Sequence, residues 1–176
     1  MNQLITAEEF ASNRDIGGLN NRNGKLDSNK IYECIKLAQS IDLYDILGDF
    51  LFEVIENKDE ETYKDLLSGS TFITEGKVYF QEGIKSILSD LTYSRYVVSA
   101  NVNFTSFGAV TKLTDNSQPV DRNLLRDIQK QTAIDTRIKF KFVDKYLRAN
   151  RNLFPNYVTG NNPDINTGNV RFTLVR

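Results

Sequence analysis

Few side chains in this chain could carry out acid–base or nucleophilic chemistry. Histidine is absent, which removes the usual general base near neutral pH and the commonest metal ligand. Cys34 is the only cysteine, so the chain can form neither a disulfide framework nor a zinc cluster. Because Cys34 sits in an apolar helical pattern, we expect a small core residue rather than a nucleophile.

The acidic run from Glu56 to Glu61 is the densest group of carboxylates. No partner base accompanies it, so a solvated turn and helix start is expected rather than a catalytic role. A phosphate-binding loop is also missing, because Gly-x-x-x-x-Gly-Lys followed by Ser or Thr does not occur. We therefore expect no enzymatic activity, no metal and no cofactor.

Arg95 lies on the apolar side of a helix that the sequence predicts over residues 81–99. The apolar residues that share this side are Ile84, Ile87, Leu88, Leu91 and Val98. A buried guanidinium is unfavourable without a partner, so Arg95 needs a carboxylate or several carbonyl groups. A structural ion pair is the favoured role, and gripping a ligand is the alternative.

The net charge of −1 conceals an asymmetry along the chain. Residues 119–151 carry nine Lys or Arg and four Asp, a net charge of +5, and the rest of the chain carries −6. Each molecule is therefore expected to have an acidic body and a basic helix. Such a pair of surfaces suits the stacking of identical copies or contact with a polyanion.

The longest predicted element is a helix from Pro119 to Arg151, about 50 Å long at the usual rise per residue. Ser117 is expected to cap it, and Pro119 suits its first turn. Neither Pro nor Gly follows before Pro155. The predicted apolar stripe along one face consists of Leu124, Ile128, Ile138, Phe142 and Tyr146.

The middle of that stripe is polar, with Asp135 and Lys139 spaced to form a pair, and Phe140 points away from it. One interpretation is a single long core helix with an exposed Phe140. The other is a helix shared between the core of its own subunit and another chain. For this second case the candidate interface residues on the helix are Arg137, Phe140, Lys141 and Lys145.

Shorter elements are predicted before the long helix. Thr6 and Glu9 have the spacing of a capping box, and Ile41-Asp42 is expected to break or bend a helical path. Gly48 is expected to allow close helix packing, and Glu75-Gly76 could turn a small hairpin. The expected spans are helices over 6–13, 28–40, 43–55, 62–67 and 81–99, and a hairpin over 71–80.

Two further segments are predicted to be partner-binding elements. Residues 101–115 form a polar loop or hairpin, in which Phe104 and Phe107 anchor either into a partner or onto the core. Residues 152–168 are rich in Pro, Gly and Asn, and the chain after them alternates as a strand does. A strand that follows such a linker is expected to pair with a sheet edge, either in its own subunit or in a neighbour. The alternative is an unstructured tail. The apolar residues of the predicted strand are Val170, Phe172 and Leu174.

These elements predict a mainly α fold: a helical bundle with one long C-terminal helix, a small β-hairpin or loop insertion, and an extended C-terminal strand arm. With 176 residues and 40% apolar content, we expect one connected domain at 1–151 and the arm at 152–176. The start of the chain lacks the pattern of a secretion signal, and no apolar run reaches membrane-spanning length. A soluble protein of a reducing compartment is expected.

Two spaced patterns are similar to those of a known family. The first is Ile35-x-x-Ala38-Gln39, followed by Leu43-x-x-Ile46-Leu47-Gly48-x-x-Leu51. The second is Leu91-x-Tyr93-x-Arg95-Tyr96, followed by Asn103-x-Thr105-x-x-Gly108-x-Val110-x-Lys112. Together with the long final helix, they resemble the head–tail connector (adaptor, head-completion) proteins of tailed bacteriophages, most closely the ring proteins of crAss-like phages. The resemblance covers most of residues 1–151.

The resemblance implies a structural virion protein, made in the bacterial host cytoplasm and located in the phage neck. Such proteins form a ring of about twelve identical subunits, which needs a heterologous interface between neighbours. The ring joins the portal protein to the adjoining tail proteins, retains packaged DNA, and passes it at ejection without sequence-specific contact. The alternative from the residues alone is a helical nucleic-acid-binding module that uses the basic helix.

Overall fold

The computed structural model describes residues 2–14, 28–100, 102–105, 108–111 and 121–158. The described helices are α1 (Ala7–Asn13), α2 (Ser28–Leu37), α3 (Tyr44–Leu47), α4 (Phe50–Glu56), α5 (Glu61–Ser68), α6 (Gly83–Ser99) and α7 (Arg122–Ala149). Two antiparallel hairpins pair β1 (Ser70–Thr74) with β2 (Lys77–Gln81), and β3 (Val102–Thr105) with β4 (Gly108–Thr111). This content confirms the mainly α fold with its long C-terminal helix and small hairpin.

α1 begins with the capping box that the sequence predicts. The Thr6 hydroxyl accepts a hydrogen bond from the backbone N–H of Glu9 at 3.1 Å, and the Glu9 carboxylate accepts from the N–H of Thr6 at 2.8 Å. Phe10 is buried and meets the ring of Tyr96 edge-on, with 6.3 Å between the centroids. This contact holds α1 against α6.

The helical path from Ser28 to Leu47 stays continuous at Ile41-Asp42, where a break or bend was expected. A π-helical segment, Ala38–Leu43, joins α2 directly to α3. Its wider turn accommodates an extra residue without ending the helix. Gln39 is buried in this segment and binds the N-terminal residues: its Oε1 accepts from the N–H of Leu4 at 2.8 Å, and its Nε2 donates to a backbone carbonyl at 2.9 Å.

Glycines with positive φ shape two corners of the fold. Gly48 ends α3 at φ +58°, and a Cβ there would meet no atom within 4 Å. Its role is therefore the turn conformation, which corrects the expectation of close helix packing. At Gly83, with φ +84°, a Cβ would collide with the carbonyl oxygen of Leu67. Only glycine fits where the end of α5 meets the start of α6.

α6 is the central helix of the bundle. It packs against α7, α2, α5 and the π-helical segment. Of the predicted apolar side of this helix, Val98 alone is exposed, because it lies in the last turn. The other members of that side are buried: Ile84, Ile87, Leu88 and Leu91. The sequence prediction for this helix is otherwise confirmed.

α7 runs for 28 residues, or about 42 Å, and begins later than predicted. Asp121 is its N-cap, with the carboxylate accepting from the N–H of Asn123 at 3.1 Å. The cap expected at Ser117 is therefore wrong. A carboxylate directly before Arg122 satisfies a free N–H group of the first turn and also favours the positive helix end.

The buried face of α7 is rotated around the helix from the predicted one, and Tyr146 belongs to both. Phe140 is only 2% exposed, whereas Ile138 is 46% exposed and Phe142 also reaches solvent. The interpretation of Phe140 as an outward interface residue is therefore wrong. The physical reason is that α6 lies against the side that carries small threonines, where two helices can approach closely. The buried residues of this face are Thr132, Thr136, Phe140, Val143, Tyr146 and Leu147.

The chain keeps contributing to the core after α7 ends. Phe154 and Tyr157, placed by the sequence in the extended arm, are both buried. Phe154 meets Tyr63 edge-on at 5.4 Å between centroids, and Tyr157 meets Phe50 at 5.2 Å. The Tyr157 hydroxyl also donates to Asp144 at 2.7 Å. Residues 153–158 thus close one end of the bundle.

Candidate interaction surfaces

One side of α7 presents apolar side chains to solvent along its whole length. We call this set the α7 outer face: Leu124, Ile134, Ile138 and Phe142. The last three are spaced by four residues and so form a line on the helix surface. A row of bases, Lys130, Arg137 and Lys141, runs along one side of that line by the same spacing rule. A stripe of this kind on a soluble surface is typical of contact with another molecule.

Arg137 and Lys141, both predicted as interface residues, therefore lie beside the α7 outer face. Lys141 is exposed and Arg137 is half-buried. The Nε atom of Arg137 is buried and has no hydrogen-bond partner among the described residues. A buried guanidinium nitrogen without an acceptor is unfavourable, so this position favours a carboxylate or carbonyl from outside the subunit.

Lys145, the third predicted base, is bound within its own subunit. Its ammonium lies over the ring of Tyr79, 3.8 Å from the centroid, and contacts Glu75 at 3.1 Å. Hydrogen bonding to Tyr79 and Glu75 raises the pKa of Lys145. Lys145 was predicted to contact another chain, but its partners in the structure belong to its own subunit. The sequence did not reveal this role, because it depends on the packing of the first hairpin against α7.

A second exposed apolar surface lies on the other long helical path. Leu37, Ile41 and Tyr44 are exposed at the spacing of one helical side, and Phe52 on α4 joins them through a ring contact with Tyr44 at 5.8 Å. Exposed carboxylates surround them: Asp45, Asp49 and Glu56. Residues 41–56 contain five acids and no base. We call these seven residues the acidic patch.

Within the acidic patch, Tyr44 is fixed by its neighbours. Its hydroxyl donates to Asp49 at 3.1 Å, and this hydrogen bond raises the pKa of the Tyr44 phenol. The patch therefore offers an ordered aromatic pair with a negative border. The exposure of Phe52 was not predicted, because the apolar run at 43–55 was assigned to the core. The exposure of Ile41 was not predicted either.

Three strongly exposed apolar residues lie on the outer side of the β1–β2 hairpin. Ile73 is 73% exposed, Val78 69% and Phe80 60%, and Ile73 pairs directly across from Val78. The other side of the hairpin packs inward, with Phe72 edge-on to Tyr146 at 5.4 Å. We call Ile73, Val78 and Phe80 the hairpin outer face. The hairpin was predicted, but its two-sided apolar character was not recognised.

A network of charged side chains lines an open cavity of about 650 Å³ between α1, α6 and α7. Asp90 is 2% exposed and binds both Arg14 and Lys139, the latter at 2.8 Å, and Lys139 also contacts Glu82 at 2.8 Å. Lys139 therefore faces α6 instead of pairing with Asp135 as expected. Asp135 accepts from Gln131 at 2.8 Å.

The network holds Glu82 and Lys139 in their charged forms. Burial opposes charge on Glu82, but hydrogen bonds from Lys139 and Ser86 outweigh it and lower the pKa of this carboxylate. Burial likewise opposes charge on Lys139, and hydrogen bonds to Asp90 and Glu82 outweigh it and raise its pKa. A general acid or base needs a pKa near the working pH, and these shifts run in the opposite direction.

Arg95 has the carboxylate partner that burial of a guanidinium requires. Its Nε and one terminal nitrogen donate to the two oxygens of Asp42 at 2.6 and 2.7 Å. This two-point ion pair joins α6 to the π-helical segment, and it raises the pKa of Arg95. Cys34 is buried nearby, and burial raises the pKa of its thiol, which disfavours a nucleophilic role.

The remaining predicted interface residues cannot be placed in a surface. Phe104 lies on β3 opposite Ala109, where only the backbone is described. Phe107 and the strand residues Val170, Phe172 and Leu174 lie outside the described residues. Across the part of the chain that is described, no group of three or more His, Cys, Asp or Glu side chains could hold a metal ion. Nor is any described helix long and apolar enough to cross a membrane.

The fold and its exposed surfaces define a class: a small helical protein with a charged but internally paired interior and three apolar outer surfaces. The chain belongs to the family of unknown function DUF6712, whose model matches residues 43–167. The match spans the hairpin, α7 and the part of the acidic patch from Tyr44 onward, but not Leu37 and Ile41. No curated protein and no solved structure matches the chain.

Proposed function

We propose that this protein is a non-enzymatic structural subunit that assembles with identical copies into a ring at the portal–tail junction of a tailed bacteriophage. The ring, of about twelve subunits, would seal the junction and guide DNA through it. The protein would then reside in the neck of the virion, with the portal protein and adjoining tail proteins as partners. The phage context is supported by the resemblance of two residue patterns to those of head–tail connectors.

The observation that carries the proposal is the presence of three apolar surfaces on three different elements of one small subunit. The α7 outer face, the acidic patch and the hairpin outer face involve separate residues. A subunit inside a ring needs two different surfaces for its two neighbours, and a further one for the layer above or below. The hairpin outer face suits this third contact, because Ile73 and Val78 are more exposed than any apolar residue of the other two surfaces.

A non-enzymatic role is supported by the electrostatics of the interior. The ion pairs of Lys139 with Asp90 and Glu82 lower the pKa of Glu82 and raise that of Lys139, and Arg95 is bound to Asp42. These contacts stabilise a subunit and hold Glu82 and Lys139 away from the pKa that proton exchange at neutral pH requires.

The test is the oligomeric state of the purified full chain, measured by native mass spectrometry and light scattering over a range of concentrations, followed by electron microscopy. A closed oligomer of defined subunit number, seen as rings, is the expected result. A chain that remains monomeric at every concentration, alone and with a portal protein added, would contradict the proposal.

The second candidate is a nucleic-acid-binding module. The observation in its favour is the row Lys130, Arg137 and Lys141 on a helix with eight bases and three acids. Titration of the same sample with duplex DNA at two salt concentrations separates the two functions. Tight binding that weakens steeply with salt, without any oligomer, would favour the module. The apolar residues beside the row argue for a protein partner instead.

A further inference from the structure

We infer that the α7 outer face of one copy packs on the acidic patch of the next copy, so that a single heterologous contact repeats around the assembly. This inference rests on the proposed self-assembly and names the two surfaces that perform it. The occupant of each surface is therefore a second copy of this chain.

The two surfaces match in form. Ile134, Ile138 and Phe142 make a line on one helix, and Leu37, Ile41 and Tyr44 make a line on another. Two helices with linear apolar seams pack by placing the side chains of one into the grooves of the other. The aromatic pair Tyr44–Phe52 and Phe142 provide the large side chains that usually contribute most to a protein interface.

The two surfaces also match in charge. The α7 outer face is bordered by Arg137, Lys141 and Lys130, the last of which pairs with Asp127 at 3.8 Å, and the acidic patch is bordered by Asp45, Asp49 and Glu56. Opposite charges around an apolar centre steer the approach and fix the register of two partners. Arg137 is half-buried, and the accessible part of its side chain would gain a carboxylate from the neighbouring copy.

The same charges disfavour a symmetric dimer. Two α7 outer faces packed antiparallel about a two-fold axis would place the basic row of one copy against the same row of the other. Two acidic patches would repel in the same way, because residues 41–56 contain acids and no base. Like charges set opposite each other are a means by which proteins exclude the wrong partner.

The positions of the two surfaces allow repetition. α6 packs against both α7 and the path formed by α2 and the π-helical segment, and these two flanking elements make no comparable contact with each other. Each apolar line lies on the side of its helix that faces away from α6. The two surfaces of one subunit therefore point in different directions, and a subunit can hold two neighbours at once.

The experiment uses two full-length variants, each blocked at one surface. Ile138→Glu places a negative charge on the α7 outer face, where it would meet the acids of the neighbour. Phe52→Arg places a positive charge in the acidic patch, where it would meet the bases. Both positions are exposed, and Glu and Arg are both good helix formers, so each variant is expected to fold. Thermal unfolding checks this.

Matched controls are available on the hairpin outer face. Ile73→Glu and Phe80→Arg make the same two chemical changes at residues that are at least as exposed. Because the hairpin outer face takes no part in the inferred contact, both controls are expected to assemble as the wild-type chain does.

Each blocked variant alone is expected to be monomeric at concentrations where the wild-type chain forms its oligomer. Mixed in equal amounts, they should associate, with a mixed dimer as the smallest product. The intact acidic patch of the Ile138→Glu copy meets the intact α7 outer face of the Phe52→Arg copy, and the two substituted surfaces carry opposite new charges, so larger mixed oligomers also support the inference. Native mass spectrometry distinguishes this mixed dimer by mass.

The outcomes separate the inference from the proposed function. Blocked variants that still form the wild-type oligomer would overturn the inference and leave the ring intact as a proposal. Blocked variants that stay monomeric when mixed would also overturn it, since the two intact surfaces then do not bind each other. A wild-type chain that never assembles would remove the proposed function together with the inference.

Discussion

In the middle of α7, from Thr132 to Lys139, the two sides differ in the reverse sense to that expected from hydrophobicity, whereas further along the helix the buried side is apolar. The side buried against α6 carries Thr132, Thr136 and the stem of Lys139, whereas the side in solvent carries Ile134 and Ile138. Thr132 satisfies its hydroxyl on a backbone carbonyl of its own helix at 2.8 Å, and Lys139 reaches the carboxylate of Asp90. Close approach and charge pairing therefore decided which side is buried.

This difference indicates that the apolar residues on the outer side of α7 do not serve to stabilise the isolated subunit. Its residues contribute little to folding while they remain in water, because hydrophobic stabilisation follows the area removed from water. Substitutions on the inner side should change unfolding, and substitutions on the outer side should change assembly. Variants on the two sides should therefore separate effects on unfolding from effects on assembly.

Truncation after Asn152 should have the largest effect on folding. It removes Phe154 and Tyr157, which pack on the inner side of α7 and on Phe50. Loss of a buried aromatic side chain costs about 3–5 kcal/mol, so two such losses exceed the stability of many domains. Circular dichroism during heating should show no cooperative transition.

Truncation after Val158 is the matched control, because it keeps both aromatic residues. It should retain a cooperative transition. Deleting 159–176 is therefore the appropriate way to test whether the predicted C-terminal strand binds a neighbouring subunit. Any effect of this deletion on assembly is then separable from unfolding. Equal loss of folding in the two truncations would show that the aromatic contacts are not what holds this end.

Phe140→Ala and Phe142→Ala compare the two sides directly, two residues apart. Phe140→Ala leaves a cavity in the core and should lower the free energy of unfolding by about 3–5 kcal/mol. Phe142→Ala removes a partly exposed ring and should lower it by less than about 1 kcal/mol. Urea denaturation of both variants measures the difference, and similar values would contradict the assignment of sides.

Asp90→Ala tests the charged part of the inner side. The change leaves Arg14 and Lys139 without their shared buried carboxylate and should cost about 3 kcal/mol of unfolding free energy. Asp135→Ala, on the solvent side of the same cavity, should cost less than about 0.5 kcal/mol. Urea denaturation at neutral pH is again the measurement, and an Asp90→Ala protein as stable as the Asp135→Ala protein would count against a structural network.

Acid should weaken the ion pair between Glu9 and Lys85, which lines the same cavity, by a small amount. Burial opposes charge on Glu9, but hydrogen bonds from Lys85 and from the backbone of Thr6, together with the positive charge of Lys85, outweigh it and lower the pKa from 4.5. A lowered folded pKa adds stability that is complete above the unfolded value and is lost as the pH falls through the folded value. Because both side chains are partly exposed, this pair should contribute less than about 1 kcal/mol.

The pH test compares the wild-type chain with Lys85→Met. Unfolding free energies measured at pH 7 and at about pH 3 should fall less in the variant, since its Glu9 no longer carries the stabilising partner. A wild-type chain and a variant that lose the same amount would show that the Glu9–Lys85 contact is not a pH-dependent contribution.

Local signals explain which parts of the fold could be read from the sequence. The capping box at Thr6 and Glu9, the Glu75-Gly76 turn and the period of Ile84, Ile87 and Leu88 each depend on residues close together in the chain. The need of Arg95 for an acceptor was also readable, but its partner Asp42 lies 53 residues away and only the folded chain identifies it.

The candidate surfaces were less accessible to sequence reasoning, for a common reason. An apolar residue in a helical pattern fits equally well into a core or onto a partner, and the pattern alone does not distinguish the two. Phe140 and Phe142 illustrate this: both are aromatic, both lie on α7, and their assignments were exchanged. Lys145 likewise reads as a free base until the hairpin is placed beside it.

The sequence by itself determined the local structure: where most helices and the first hairpin lie, and the separation of an acidic body from a basic final helix. These features follow from backbone propensity, capping and composition, which act over a few residues. The tertiary structure was needed to show which side of α7 meets α6, that the chain contributes to the core up to Tyr157, and which apolar residues remain in water. Those outcomes depend on how the volumes and charges of distant helices fit together, and no short stretch of sequence contains that information.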